Sequence, residues 1–173
     1  MKLKIFSFKK IKSTNTTAIR LIKQNNKFGF VTSERQYQGK GQRGNRWISK
    51  YGNIFLSVFF PVNKNLAIKN LTEKNLKIIK NIISKNIKKR IIIKPPNDIL
   101  INQSKVCGIL QETIFQNNIK YIIIGIGINL NNSPIIPNYC TTFLNKYSKK
   151  KIKRHKIIRE LKHTFEKKIK NYR

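Results

Sequence analysis

The sequence predicts an α+β fold, a mixed and largely antiparallel β-sheet flanked by helices. Runs rich in β-branched and aromatic residues, NIFLSVFF at 53–60 and YIIIGIGINL at 121–130, read as strands. Between residues 91 and 115, strand-like runs follow one another with only short turns between them. Helical periodicity is confined to a few stretches that do not alternate one-for-one with the strands, which argues against a doubly wound βαβ fold.

Taken in order, Lys2 to Phe8 alternates enough to form a first strand. Ser13-Thr14-Asn15 then supplies helix N-cap chemistry, and Ala18, Leu21 and Ile22 give the helix a short apolar face before Asn25-Asn26. Phe28 to Ser33 is a short strand leading into a glycine-spaced basic loop, Gln36 to Trp47. Asn53 to Phe60 is a strand stopped by Pro61. Between Leu66 and Lys89, Leu71, Leu76, Ile79, Ile82, Ile83 and Ile87 recur at helical spacing, the strongest helix signal in the chain. Strand runs at Ile91–Ile93, Ile99–Ile101 and Val106–Phe115 are separated by Pro95-Pro96-Asn97 and Asn102-Gln103-Ser104. After the turn Gln116-Asn117-Asn118, Tyr121 to Leu130 is a buried strand interrupted by glycines, where another backbone or a ligand can come close. From Lys150 onward, Ile152, Ile157, Ile158, Leu161, Phe165 and Ile169 line one face of a terminal helix.

A chain of 173 residues suits one domain, spanning 1–173, with a genuine core. No apolar run approaches the length that spans a bilayer, and MKLKIFSF lacks a signal core, so the chain reads as soluble and cytoplasmic with no membrane partner. Cys107 and Cys140 have neither CxxC spacing nor a histidine–cysteine cluster and read as reduced thiols. The net charge of +32 attracts polyanions. The basic residues are nevertheless spread along the chain among Asn and Ile. A compositional bias toward Lys, Asn and Ile accounts for them as well as selection for nucleic acid does, and no specific DNA binding is expected.

The residues with chemical promise fall in clusters. In Gln36–Trp47, Gly39, Gly41 and Gly44 permit close approach and positive φ. Their backbone N–H groups can converge on an anion, and Lys40, Arg43 and Arg46 add charge suited to phosphate or carboxylate. Alone, this loop reads equally as a flexible connection, Ser13-Thr14-Asn15 as a plain helix cap, and Trp47 as a core residue. In Lys94-Pro95-Pro96-Asn97-Asp98 the prolines fix a rigid corner that holds Asn97 and Asp98, one of only six acidic residues in the chain, just before a strand. Lys105 and Gly108 follow; Lys105 is also consistent with a solvated strand edge. Gly125-Ile126-Gly127-Ile128-Asn129 leaves room for a flat ligand that Asn129 can hydrogen-bond, although a lone GxG in a strand is usually a bulge. There is no Ser-His-Asp arrangement, since His155 and His163 lie in the basic tail, and GKGQRG is not GxxxxGK[ST]. The inventory suits stabilisation of negative charge on phosphate and carboxylate oxygens without a covalent nucleophile.

In their order and spacing, STN at 13–15, QYQGKGQRGNRWIS at 36–49, KPPND at 94–98, KVCGIL at 105–110 with Glu112, and GIGIN at 125–129 resemble the biotin protein ligases. The family signatures read approximately STN, GRGRRGRxW, KWPND, KxxGILxE and GxGIN. The resemblance implies a catalytic domain of the biotin–lipoate ligase type, similar to class II aminoacyl-tRNA synthetases. It implies the activity of a biotin–[acetyl-CoA-carboxylase] ligase with biotin and ATP as substrates, Mg2+, and a biotin carboxyl carrier protein as partner. Biotin would meet Ser13, Thr14, Asn15, Gln36, Gly39, Lys40, Gly41, Gln42, Lys105 and Gly108. ATP would meet Lys40, Arg43, Trp47, Lys94, Asn97, Lys105 and Asn129. Lys105 would bridge the biotin carboxylate and the α-phosphate, Lys40 would assist there, and Asp98 would organise the site or its magnesium.

Departures from the pattern carry their own expectations. Gln42 stands where the best-known pattern has arginine, which implies weaker retention of the intermediate, and Pro95 replaces a tryptophan, which implies altered packing. Neither an N-terminal helix-turn-helix nor the small C-terminal β-barrel of many members is expected within 1–173, so operator binding is not expected. Oligomeric state is not legible, and a homodimer stays open. The rival readings are a lipoate-type ligase, which typically carries an RRxSGGG-like stretch, and a basic nucleic-acid-binding protein, which leaves KPPND and GIGIN unexplained.

Overall fold

The computed structural model describes residues 1–172. Among them the order is β1 (Lys4–Ile11), α1 (Thr14–Lys23), β2 (Gly29–Gln36), β3 (Ile54–Pro61), α2 (Ile68–Ser84), β4 (Ile91–Lys94), β5 (Asp98–Ile101), β6 (Ser104–Gln116), β7 (Ile119–Ile128) and α3 (Arg154–Lys168). The strands form a seven-stranded sheet in the order β1-β2-β3-β7-β6-β5-β4. Only β1–β2 is parallel; the other pairs are antiparallel. The parallel pair follows from α1, because a crossover is needed to return the chain in the same direction. The mixed, largely antiparallel α+β sheet expected from the sequence is the one observed, and no helix among the described residues is long and apolar enough to cross a membrane.

β3 and β7 read as nearly continuous apolar runs because they sit mid-sheet, with both faces covered. Side chains alternate between faces with period two. Phe59, Tyr121 and Ile123 pack with Val31 against Ala18, Leu21 and Ile22 of α1. Their neighbours Val58, Phe60, Ile122 and Ile124 point the other way, into a core shared with Ile79 and Ile83 of α2 and Leu161 and Phe165 of α3. Each of these fully buried side chains contributes about 1.5–3 kcal/mol relative to exposure.

Several boundaries differ from the sequence reading for long-range reasons. β1 begins two residues later than expected and runs on to Ile11, while β2 runs past Ser33 to Gln36, because Lys10 pairs with Arg35 and Ile11 with Gln36. Ser13 does occupy the N-cap of α1, with extended backbone, but its hydroxyl makes no capping bond. The Gln36 side chain substitutes: its Oε1 accepts the Thr14 N–H at 2.8 Å and the Thr14 hydroxyl at 3.2 Å. The end of β2 thereby caps the helix that precedes it.

Candidate active site

One lateral row of the sheet organises the site. Register pairs Phe55 with Gly127, Gly127 with Gly108, Gly108 with Asp98, and Asp98 with Lys94, so residues from five strands lie side by side. This row lies on the α1 face, beyond the end of the helix. Gly125 and Gly127 continue the same face of β7 as Tyr121 and Ile123, so the two glycines remove side chains from that face alone. No register shift accompanies them, so the alternative reading of the GxG as a bulge does not hold at this position. The cleared space is filled: a Cβ on Gly125 would meet Asn15 Oδ1 at 2.2 Å, and one on Gly127 would meet the Trp47 indole at 2.4 Å. Trp47 lies across Gly127 and Gly108, where a Cβ would stand 2.9 Å from its ring.

A bulge does occur between β5 and β6, and it aims Lys105. Ile99 pairs with Cys107 but Leu100 pairs with Lys105, which leaves Val106 as an extra residue. Val106 and Cys107 both face the core as a result, and Lys105 emerges on the site face. Its Nζ stands 2.7 Å from Asp98 Oδ1. That contact is an ion pair without hydrogen-bond alignment, since Asp98 Oδ1 has no directed donor. Tyr139, from the segment after β7, donates its hydroxyl to Asp98 Oδ2 at 2.7 Å. Burial, then that bond to the carboxylate, raises the Tyr139 phenol above its ordinary value, so it stays protonated. Asn97 clamps the proline corner to β6: its amide donates to Ile109 O at 2.9 Å, and its carbonyl accepts the Ile109 N–H at 3.0 Å.

At the other end lies a polar cluster from α1 and its partners. Asn15 Nδ2 donates to Glu112 Oε2 at 2.6 Å, and Asn15 Oδ1 accepts the Ser57 hydroxyl at 2.6 Å. Ser13, Thr14 and Asn15 are all buried. The glycine loop bends over both ends. Trp47 N–H donates to Gly39 O and Gly41 N–H to Asn45 O, at 2.9 and 2.7 Å, which folds the loop back on itself. Of the three loop glycines only Gly44 has a positive φ, 78°, and its neighbour Arg43 takes the other left-handed position at 53°. Gly39 is needed instead for close approach, because a Cβ there would lie 2.5 Å from Trp47 O. Lys40 Nζ pairs with Glu112 Oε1 at 3.4 Å.

These groups line one cavity of about 520 Å³. The expected residues Ser13, Thr14, Asn15, Gln36, Lys40, Gly41, Gln42 and Arg43 border it, as do Trp47, Lys94, Asn97, Asp98, Lys105, Gly108 and Asn129. Gly39 does not; it borders an adjacent hollow on the outer side of the loop, together with Lys12 and Tyr37. The walls also include Arg46 and, from the segment after β7, Pro134, Ile136, Tyr139 and Thr141. Sequence reasoning missed these last four, which lie between β7 and α3 without periodicity or a motif. Trp47 Nε1 and Asn129 Oδ1 are buried there without a protein partner, one a donor and one an acceptor. The lining is cationic, with Lys40, Arg43, Arg46, Lys94 and Lys105 against Asp98, an arrangement that neutralises bound anions. No group of three or more His, Cys, Asp or Glu side chains capable of holding a metal occurs among the described residues. Among the described residues, Asp98 is the one carboxylate that borders the cavity, the ligand type that would hold Mg2+ together with substrate phosphates. The cysteines are free, Cys107 buried and Cys140 exposed.

The family model described as the biotin/lipoate A/B protein ligase family matches residues 7–129. The bifunctional ligase/repressor BirA of Bacillus spizizenii is 34% identical over 174 residues, covering 94% of this chain and 52% of the relative. The biotin–[acetyl-CoA-carboxylase] ligase of Paracoccus denitrificans is 31% identical over 126 residues, covering 70% of this chain and 52% of the relative. The chain thus spans about half the length of the curated relatives it matches. Among solved structures, the Leishmania major biotin protein ligase in complex with biotinyl-5-AMP superposes with a TM-score of 0.78 at 22% identity, over 98% of this chain and 79% of that one. An archaeal lipoate protein ligase from Thermoplasma acidophilum reaches 0.64 at 8% identity, over 98% and 84%. At those identities the likeness is one of fold. The family match covers well over half of the chain and takes in the glycine loop, the proline corner, Lys105 and the GIGIN strand: the chain belongs to the biotin/lipoate A/B protein ligase family.

Proposed function

We propose that the chain is an ATP-dependent biotin protein ligase, acting in the cytoplasm on a lysine of the biotin carboxyl carrier protein of acetyl-CoA carboxylase. One observation carries the reading: a single cavity joins the buried cluster Ser13, Thr14, Asn15 and Gln36 to the Lys105–Asp98 pair. A bicyclic urea needs hydrogen-bond donors and acceptors at its ring end, whereas the dithiolane of lipoate offers nothing for such a cluster to bind. A carboxylate brought onto an α-phosphate needs cations between them.

In the first step a biotin carboxylate oxygen attacks the α-phosphorus of ATP, and the bond to the β-phosphate breaks, releasing pyrophosphate. Ser13, Thr14, Asn15 and Gln36 hold the ring end, with the Gly41–Gln42 backbone along the chain of the substrate and Gly108 seating the Trp47 indole beside it. Lys105, assisted by Lys40 and Arg43, lies between the reacting anions and cancels their repulsion. Lys94 and Asn97 border the phosphates, and Trp47 Nε1 and Asn129 Oδ1 supply a donor and an acceptor to the nucleotide. Asp98 is the residue that would hold magnesium, which would supply further charge neutralisation. In the second step the amine of the acceptor lysine attacks the acyl carbon, the acyl–phosphate bond breaks, and AMP leaves. The glycine loop shields the mixed anhydride from water meanwhile.

The test is transfer. Purified protein with biotin, ATP and Mg2+ is expected to add one biotin to a carrier domain by mass spectrometry, and Lys105→Ala to abolish the label. Lipoate transferred in place of biotin by the wild-type protein would overturn the assignment.

A further inference from the structure

We propose that Tyr139 is a positioning residue that holds the second oxygen of the Asp98 carboxylate, Oδ2, away from Lys105 and so keeps the lysine available to substrate. This rests on the ligase reading of the cavity.

The Lys105 ammonium faces competing demands. It pairs with Asp98 Oδ1 at 2.7 Å, yet it serves substrate only to the extent that Asp98 does not consume its charge. Tyr139 limits that consumption from the far side. Its hydroxyl takes Asp98 Oδ2 at 2.7 Å, so part of the carboxylate's charge is spent on a charge-assisted bond and its second oxygen cannot swing onto Lys105. The Tyr139 ring adds a second restraint. Lys105 Nζ lies 5.5 Å from its centroid and 5.4 Å from that of Trp47, while Lys94 Nζ stands 5.4 Å from Tyr139. The two rings form a slot that fixes the direction of the Lys105 head without taking a proton or donating a directed hydrogen bond to it. Backbone bonds keep these parts in register, because Lys105 N–H donates to Cys140 O and Thr142 N–H to Lys105 O, both at 2.9 Å. Removing the hydroxyl alone leaves Asp98 Oδ2 short of a donor, and the nearest cation is Lys105.

The experiment compares wild type, Tyr139→Phe and Tyr139→Ala by pyrophosphate release and by site-resolved labelling with an amine acylating reagent, each with a thermal melt. In Tyr139→Phe, kcat for adenylation is expected to fall about tenfold, with KM for biotin and ATP within about twofold of wild type. Acylation of Lys105 itself should slow several-fold, while that of exposed lysines such as Lys77 holds constant. Tyr139→Ala, which removes the hydroxyl and the ring together, should lose kcat further and slow Lys105 acylation at least as much as Tyr139→Phe. A Tyr139→Phe enzyme with wild-type kcat and wild-type Lys105 labelling overturns the proposal, as does a loss confined to KM or one that tracks melting. The labelling arm needs no turnover. A wild type inactive with biotin would therefore sink the ligase reading while Lys105 labelling still decides the role of Tyr139.

Discussion

Asn15 and Gly125 share one volume: a Cβ built on Gly125 would stand 2.2 Å from Asn15 Oδ1. The amide cannot retreat freely, because it donates to Glu112 and accepts from Ser57, each at 2.6 Å. Gly125→Ala is therefore expected to push Asn15 out of this network at a cost of about 1–3 kcal/mol, or roughly 2–4 °C in Tm for each kcal/mol. Because Asn15 belongs to the ring end of the cavity, KM for biotin should rise more than kcat falls. A calorimetric melt together with biotin titration checks both parts.

Gly127→Ala strikes the other glycine of the pair. Its methyl would meet the Trp47 indole at 2.4–2.9 Å and lift it from the sheet. Trp47 is the only tryptophan in the chain, so its emission reports the displacement directly. A red-shifted spectrum and a loss of about a hundredfold in adenylation are expected. An unshifted spectrum with full activity would show that the indole is not seated on the glycines.

Gln42 borders the cavity from the turn of the glycine loop. With a neutral amide there instead of a guanidinium, one charge-assisted contact to a phosphate is missing, worth about 1.5–3 kcal/mol. Wild-type protein is expected to release enough acyl-adenylate to label bystander lysines, and Gln42→Arg to restrict labelling to the acceptor. Peptide mapping of a mixture of carrier and an unrelated lysine-rich protein makes the comparison.

Stability should depend on acid through Glu166. Burial works to raise this carboxyl, but the hydrogen bonds from Lys162 Nζ at 2.5 Å and the Leu3 N–H at 2.8 Å outweigh it and hold it below 4.5. A depressed carboxyl contributes stability above its unfolded value and loses it as pH falls through the folded one. Glu166→Gln should cost about 1 kcal/mol at neutral pH, and its urea midpoint should converge with that of wild type once pH drops well below 4.5.

Much of this was legible in the sequence because the elements carry strong local signals. Periodicity marked α2 from Leu71 to Ile83, and prolines and Asn-rich turns bracketed the strands. Motif order located fifteen of the sixteen expected site positions on one cavity, Gly39 being the exception. What escaped depends on partners remote in sequence. Gln36 looks like the start of a loop until Ile11 extends β2 beside it. Ser13 carries N-cap chemistry, yet Gln36, 22 residues away from Thr14, performs the capping. Tyr139 sits in a segment without period or motif and acquires meaning only from Asp98, 41 residues earlier.

The extra residue at Val106 has a consequence for folding fidelity. Were β5 and β6 paired without it, Ile101 rather than Leu100 would sit opposite Lys105, and Ile101 lies in the apolar core. A one-residue slip would drive an ammonium group among isoleucines, a placement costing several kcal/mol. The lysine proposed to serve adenylation thus also proofreads the strand pairing, since the misregistered sheet penalises itself. Shortening or lengthening the turn at Asn102–Gln103 by one residue would test assembly and chemistry at once.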